Sequence, residues 1–144
     1  MLQLSNTPIP KLFSTCIHNE CTMASTCLRN MAYNELVKTK DVMYVINPIR
    51  CTKDTQCPNF CDSTPVRFAR GFINFQQRMY PGQYQKFMTI LIEKFSRNPY
   101  FQRRRGDIAL SPQEQAIVTD ALHTVGVTEP LDFDAYEYQF DFKE

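Results

Sequence analysis

With 144 residues, of which 43% are hydrophobic and 22% charged, the chain has the composition of one globular domain and not of a disordered protein. Residues 1–110 carry 15 Lys or Arg against 7 Asp or Glu, whereas residues 111–144 carry 1 against 8. We therefore expect a basic body with an acidic C-terminal element that folds back and neutralises it.

The beginning of the sequence and its hydropathy bear on location. Met1–Asn6 has no basic region and no apolar run of signal-peptide length. The longest dense apolar stretch, 42–46, is much shorter than the roughly 20 residues that cross a bilayer. We expect a cytoplasmic protein without a membrane partner, in a compartment where disulfides are uncommon.

The first half of the chain predicts an irregular arm, a helix and a strand. Pro8 and Pro10 make residues 1–20 an arm, and Thr22 is placed to cap a helix over about 23–38. The β-branched and aromatic stretch 42–46 lacks polar alternation, which is typical of a strand buried on both faces.

The middle of the chain predicts two helices that form an αα-hairpin. Thr64-Pro65 is a helix start, and Phe68, Phe72 and Phe75 then recur at helical spacing. After Pro81-Gly82 a second helix is expected over about 83–97, so that aromatic side chains line the seam between the two.

The last part predicts a basic turn, a helix and a strand. Asn98-Pro99 is expected to stop the preceding helix before residues 100–107. Ser111-Pro112-Gln113-Glu114 is a capping box, and Gly126 suits a left-handed stop. Aromatic and polar residues alternate over 136–142, as in a half-buried strand.

These elements together predict a single α+β domain over 1–144. It has about four helices, including the αα-hairpin, and a small antiparallel sheet that includes 42–46 and 136–142. Its parts are a Cys-rich metal-binding part (1–64), a helical part (65–125) and an acidic aromatic C-terminal strand (126–144).

Six cysteines fall in two clusters separated by the predicted first helix and strand. They are Cys16, Cys21, Cys27, Cys51, Cys57 and Cys61. Zinc prefers four soft or imidazole ligands, usually supplied as two pairs, and a helix followed by a returning strand would bring the two clusters together. We predict a zinc site that clamps the N-terminal half of the chain.

Four of these residues are the predicted ligands because they flank the helix or lie in a loop: Cys16, Cys21, Cys51 and Cys57. Cys27 falls on the apolar side of the helix and is a reserve, as are Cys61 and, more weakly, His18. An iron–sulfur cluster, buried free thiols and disulfides are the alternatives.

A catalytic cysteine is less well supported, because a nucleophile needs a positioned base. His123 falls on the polar side of its helix, and no carboxylate pair or glycine-rich phosphate loop is present in the sequence. These observations favour a protein that is not an enzyme.

An arginine cluster, Arg97, Arg103, Arg104 and Arg105, surrounds Tyr100-Phe101. Arginines beside aromatic rings are typical of surfaces that contact RNA, DNA or the ribosome. The alternative is a solvated basic turn whose arginines pair with Asp107, Glu114 or the acidic tail.

Several further motifs run along the chain: Cys16-Ile17-His18-Asn19-Glu20-Cys21, Cys27-Leu28-Arg29, Asn47-Pro48 with Cys51, Cys57-Pro58 with Phe60, Phe68-Ala69-Arg70-Gly71-Phe72, Tyr100-Phe101 with Arg103-Arg104-Arg105-Gly106, and Ser111-Pro112 with Glu114-Gln115. Together they resemble a family of uncharacterised bacterial proteins from gut anaerobes of the Bacteroides type. The resemblance covers nearly the whole chain, implies no activity and does not include Cys61.

The predicted function is a non-enzymatic, metal-stabilised binding protein that contacts nucleic acid or the ribosome through its arginines. The alternatives are an iron–sulfur or thiol redox protein and a protein-interaction module that uses its aromatic surface. The sequence leaves the oligomeric state open.

Overall fold

Helices and a two-stranded antiparallel sheet make up the computed structural model, which describes residues 2–143. The predicted α+β class is therefore confirmed. The chain divides into two units: Met1–Pro65 with Phe140–Glu144, and Val66–Gln139. The division after Pro65 lies next to the boundary predicted at residue 64, while the organisation as a single domain stays a prediction.

The first unit contains short 3₁₀ turns at Leu4–Asn6 and Pro48–Arg50 and the helix α1, Leu28–Leu36. Its buried core consists of a few side chains: Leu4, Phe13, Leu28, Ala32, Cys61 and Phe140. Phe142 packs edge-on against Phe13, with ring centroids 5.0 Å apart. This small core brings the last residues of the chain into the first unit.

Helix α1 is shorter than the predicted helix over 23–38, since residues 21–26 form turns. In those turns the hydroxyl of Thr26 donates to the carbonyl of Met23, and the amide of Met23 donates to the sulfur of Cys21. Such local bonds satisfy backbone groups outside a helix and compete with helix formation.

The prediction of a buried strand at 42–46 is wrong. This segment makes an isolated parallel bridge between Thr15 and Val45 and does not join the sheet. Val42 is 86% exposed and Tyr44 is 52% exposed. The apolar composition of the segment therefore has another cause than burial in a sheet.

The sheet of the second unit pairs β1, Val66–Arg70, with β2, Ala135–Gln139, and Phe68 lies opposite Glu137. The predicted helix at 65–80 is wrong, because β1 is followed by a 3₁₀ helix at Ile73–Arg78. The αα-hairpin that included it is wrong for the same reason.

Gly71 separates these two elements with a φ of +80°, which favours glycine over other residues. A Cβ atom at this position would lie 2.7 Å from the side chain of Asp134. The Asp134 carboxylate accepts hydrogen bonds from the amides of Ile73 and Asn74, at 2.9 and 3.3 Å, and so stabilises the start of the 3₁₀ helix.

Three α-helices follow: α2 at Pro81–Phe95, α3 at Arg97–Arg105 and α4 at Pro112–Thr124. The capping box of α4 is confirmed, since the Glu114 amide donates to the Ser111 hydroxyl and the Ser111 amide donates to the Glu114 carboxylate. Gly126 has the predicted left-handed conformation.

The basic segment after Asn98 was expected to be a turn but is helical. Ser96, at φ +74°, separates α2 from α3, and Pro99 lies in the first turn of α3, where a missing amide hydrogen is tolerated. Among residues 2–143 no helix is long and apolar enough to traverse a bilayer.

The core of the second unit is aromatic and centres on Phe72, which is 2% exposed. Its ring lies within 6.4 Å, centroid to centroid, of the rings of Phe75, Phe87, Tyr100 and Phe133. These contacts join the 3₁₀ helix, α2, α3 and the segment before β2.

We expect Phe72→Ala to lower the free energy of unfolding by about 3–5 kcal/mol, because it removes a ring that contacts four others and leaves a cavity. Urea denaturation followed by circular dichroism measures this change. The neighbouring, half-exposed Ile73 provides the matched control, and Ile73→Ala should cost less than about 1 kcal/mol. Equal losses in the two variants would contradict the central position of Phe72.

Candidate metal centre

Five of the six cysteines line one small cavity in the first unit: Cys16, Cys21, Cys27, Cys51 and Cys57. The cavity has a volume of about 20 Å³, which is room for one occupant the size of a water molecule. All four predicted ligands are among the lining residues. Cysteines that lie up to 41 positions apart in the sequence therefore surround the same point.

Backbone hydrogen bonds bring these cysteine segments together. The Cys16 amide donates to the carbonyl of Arg29 in α1, over 3.0 Å. Both the amide and the hydroxyl of Thr22 donate to the carbonyl of Lys53, over 3.4 and 3.2 Å, which ties the turn after Cys21 to the loop between Cys51 and Cys57. The scaffold of the cavity is thus made mostly by main-chain contacts between irregular segments.

The thiols of Cys16 and Cys57 are close neighbours of Cys51. Burial, and after it the neighbouring thiols of Cys16 and Cys57, together raise the pKa of Cys51 from 9.0 to about 11. A thiolate at Cys51 is thus disfavoured unless a cation is present to compensate its charge. A metal ion among these sulfurs would supply that cation.

Cys21 receives a different type of support. The Met23 amide donates to its sulfur over 3.4 Å, two residues further along the chain. Hydrogen bonds from backbone amides favour the charged form of an acceptor and orient metal ligands from behind. The Met23 amide therefore lies where it would orient the Cys21 sulfur as a ligand.

The two reserve cysteines differ in position. Cys27 lines the cavity and is buried at the beginning of α1. Cys61 does not line it, and its thiol donates to the carbonyl of Asp141 over 3.6 Å within the hydrophobic core of the unit. Burial raises the pKa of Cys61. Cys61 thus has the properties of a structural core thiol.

His18 also lines the cavity, but both of its ring nitrogens are engaged elsewhere. Nδ1 lies 2.8 Å from the Glu20 carboxylate and Nε2 lies 2.9 Å from the Pro48 carbonyl. The pKa of Glu20 is lowered to about 2, first by its own backbone amide and then by Lys53 and His18. Neither His18 nitrogen is free to coordinate an ion in this arrangement.

Two basic residues, Arg29 and Lys53, line the cavity, and no acidic side chain does. Arg29 also donates to the carbonyls of three separate segments, at Ser14, Asn59 and Lys143. A site with four thiolates and Zn²⁺ has a net charge of about −2, which two such cations reduce. The sequence interpretation missed both residues, although Arg29 follows Cys27 by two positions.

Within residues 2–143, no group of three or more His, Cys, Asp or Glu side chains has a ready-made arrangement for holding a metal ion. The cysteines line a common cavity, but their sulfurs do not yet form a coordination polyhedron. The clamp around a bound metal thus stays a prediction.

The predicted nucleic-acid-binding arginines lie on α3, in the second unit, and most have intramolecular partners. Arg103 pairs with Glu114 at 2.8 Å, Arg105 pairs with Asp107 at 2.9 Å, and Arg104 donates to Gln76. Arg97 lies over the ring of Phe101, at 5.5 Å. The pairs with Glu114 and Asp107 that the alternative predicted are present, while contact with nucleic acid stays a prediction.

A family model described as a family of unknown function (DUF6078) matches residues 1–142. The chain belongs to this family, which confirms the resemblance to an uncharacterised family, while the bacterial origin stays a prediction. No curated protein and no solved structure matches the chain significantly.

The raised pKa of Cys51 predicts how the stability of the metal-free protein depends on pH. Above pH 9.0, its ordinary pKa, the thiol ionises in the unfolded chain but stays protonated in the folded one until about pH 11. The stabilising contribution is therefore complete below pH 9.0 and is lost as the pH rises to about 11. Urea midpoints of chelator-treated protein over this range measure the loss.

Cys51→Ser should reduce this alkaline loss, because serine does not titrate there. Thr55→Ala, an exposed change in the same loop, should keep the pH dependence of the original protein. A Cys51→Ser variant with the full alkaline loss would show that another group causes it.

Proposed function

We propose that this member of the DUF6078 family is a non-enzymatic binding protein whose first unit is stabilised by one zinc ion. The thiolates of Cys16, Cys21, Cys51 and Cys57 would hold the ion. The observation that carries the proposal is the gathering of five cysteines from separate segments around a single cavity of about 20 Å³.

The chemistry of the lining supports a soft divalent cation. Sulfur ligands select zinc or iron–sulfur clusters over the hard cations that carboxylates bind, and the lining contains no carboxylate. The Met23 amide contacts the Cys21 sulfur, and the cations of Arg29 and Lys53 line the same cavity. Groups that lie behind metal ligands in this way orient and stabilise them. Binding of the ion would require the cysteine side chains to turn their sulfurs into a tetrahedral arrangement.

The small core of the first unit supports a structural role for the ion. Below about 70–80 residues, domains commonly need disulfides or a metal to supplement their hydrophobic core. The proposed ligands lie in the arm, the turns before α1 and the loop around 51–57, which are the parts with the least regular structure. Binding of zinc would link these segments, and its free energy would contribute to folding.

The same thiols would suit an iron–sulfur cluster, which is the alternative of a different class. Such a cluster absorbs visible light, whereas zinc thiolates are colourless. The absorption spectrum of anaerobically purified protein thus distinguishes the two.

Elemental analysis of the purified protein tests the proposal. We expect about one zinc per chain, a lower melting temperature after treatment with a chelator, and recovery when zinc is restored. Cys51→Ser should lose most of the bound metal, because it removes a ligand that is next to two others.

Cys61→Ser is the matched control, since Cys61 lies outside the cavity, and it should retain the zinc. Metal-free protein whose melting temperature does not respond to chelator or zinc would refute the proposal. A visible chromophore together with stoichiometric iron would show that the thiols hold an iron–sulfur cluster and not zinc.

A further inference from the structure

An open groove of about 410 Å³ lies on the first unit, between the N-terminal arm and the segment around residues 40–44. Apolar side chains form most of its wall, among them Ile9, Leu36, Val42 and Tyr44. Its size is within the range of about 300–1,000 Å³ that is typical of ligand sites. None of the cysteines lines it, so it is distinct from the candidate metal centre.

The apolar residues beside the groove are unusually exposed. Val42 is 86% exposed, Tyr44 is 52% exposed and Val45 is 47% exposed. Val42 and Tyr44 both line the groove, and exposed apolar side chains that lie together mark interaction sites more often than isolated ones do. The stretch that appeared to be a buried strand from its sequence therefore has the composition of a contact surface.

The charge of the groove selects the kind of partner. Lys11 and Lys40 line it, no acidic residue does, and within residues 2–143 neither lysine takes part in an ion pair. An apolar wall with lysines at its rim is complementary to a segment with apolar side chains flanked by carboxylates.

We propose that this groove binds a segment of a partner protein in which Asp or Glu residues flank apolar residues. Apolar side chains of the partner occupy the wall formed by Ile9, Leu36 and Val42, and its carboxylates pair with Lys11 and Lys40. The inference goes beyond the proposed metal site and does not depend on which ion is bound there.

Fluorescence anisotropy with a labelled synthetic nonapeptide of alternating Val and Glu tests the proposal on the full chain as purified. We expect saturable binding that weakens with added salt, and no binding of the peptide in which Lys replaces Glu. The double variant Lys11→Glu/Lys40→Glu should weaken binding about tenfold or more and gain affinity for the Lys peptide.

Val42→Asp should also weaken binding, because it places a charge on the apolar wall. Ile49→Asp is its matched control: Ile49 is 90% exposed but does not line the groove, so binding should be unchanged. Lys86→Glu, an exposed lysine on α2, serves in the same way for the charge reversal.

Absence of binding at millimolar peptide, or affinity that the charge reversal does not change, would overturn the proposal. Binding to vesicles of anionic lipid in place of the peptide would also overturn it, as would a dimer of the chain that Val42→Asp dissociates and the peptide does not. Normal zinc content with no peptide binding would overturn the groove proposal alone.

Discussion

The first unit consists largely of irregular segments, and contacts between these segments hold it together. The helix α1 is short, and the arm, the turns and the 51–57 loop have little regular hydrogen bonding of their own. Arg29 meets part of the requirement by donating to carbonyls at Ser14, Asn59 and Lys143 and by lying 5.0 Å above the ring of Phe13. The cysteines converge on the same region, next to Arg29.

The second unit is stabilised by aromatic packing and by side chains that cap its helices. A cluster of aromatic rings around Phe72 fills its core, and capping side chains such as Ser111 and Asp134 complete the ends of its helices. The arginines of α3 add ion pairs and contacts with aromatic rings, as Arg103 does with Glu114 and Phe95. Large buried rings are fewer in the first unit, where Phe13 and Phe140 are the buried ones. The metal is therefore proposed for the first unit.

Local signals predicted some elements well. The capping box at Ser111 identified one helix, because its side chains satisfy the first amides within a few residues. The corner predicted at Pro81-Gly82 placed the second helix within two residues of the observed start of α2. The helix predicted over 65–80 was wrong, because the spacing of its phenylalanines fits a helix as well. In the structure Gly71 turns the chain between a strand and a 3₁₀ helix. Both structures bury Phe72 and Phe75, so burial alone does not distinguish them.

The candidate site was predictable to the level of its cysteines. Their clustered spacing indicated a common location, which the cavity lined by Cys16, Cys21, Cys51 and Cys57 matches. The positions of Arg29 and Lys53, and the engagement of His18 by Pro48, depend on contacts across about 30 residues and have no local signal. The contact of His18 with Glu20, two residues further along the chain, is local. The exposure of Val42 could not be predicted either, since the sequence of an apolar stretch does not show whether a partner covers it.

X-ray absorption at the zinc edge of the purified protein tests the central claim most directly, because it reports the atoms that bind the ion. We predict about four sulfur neighbours at about 2.3 Å, as in tetrahedral zinc–thiolate sites. Nitrogen or oxygen neighbours at about 2.0–2.1 Å, or a protein preparation without zinc, would contradict a site made by Cys16, Cys21, Cys51 and Cys57.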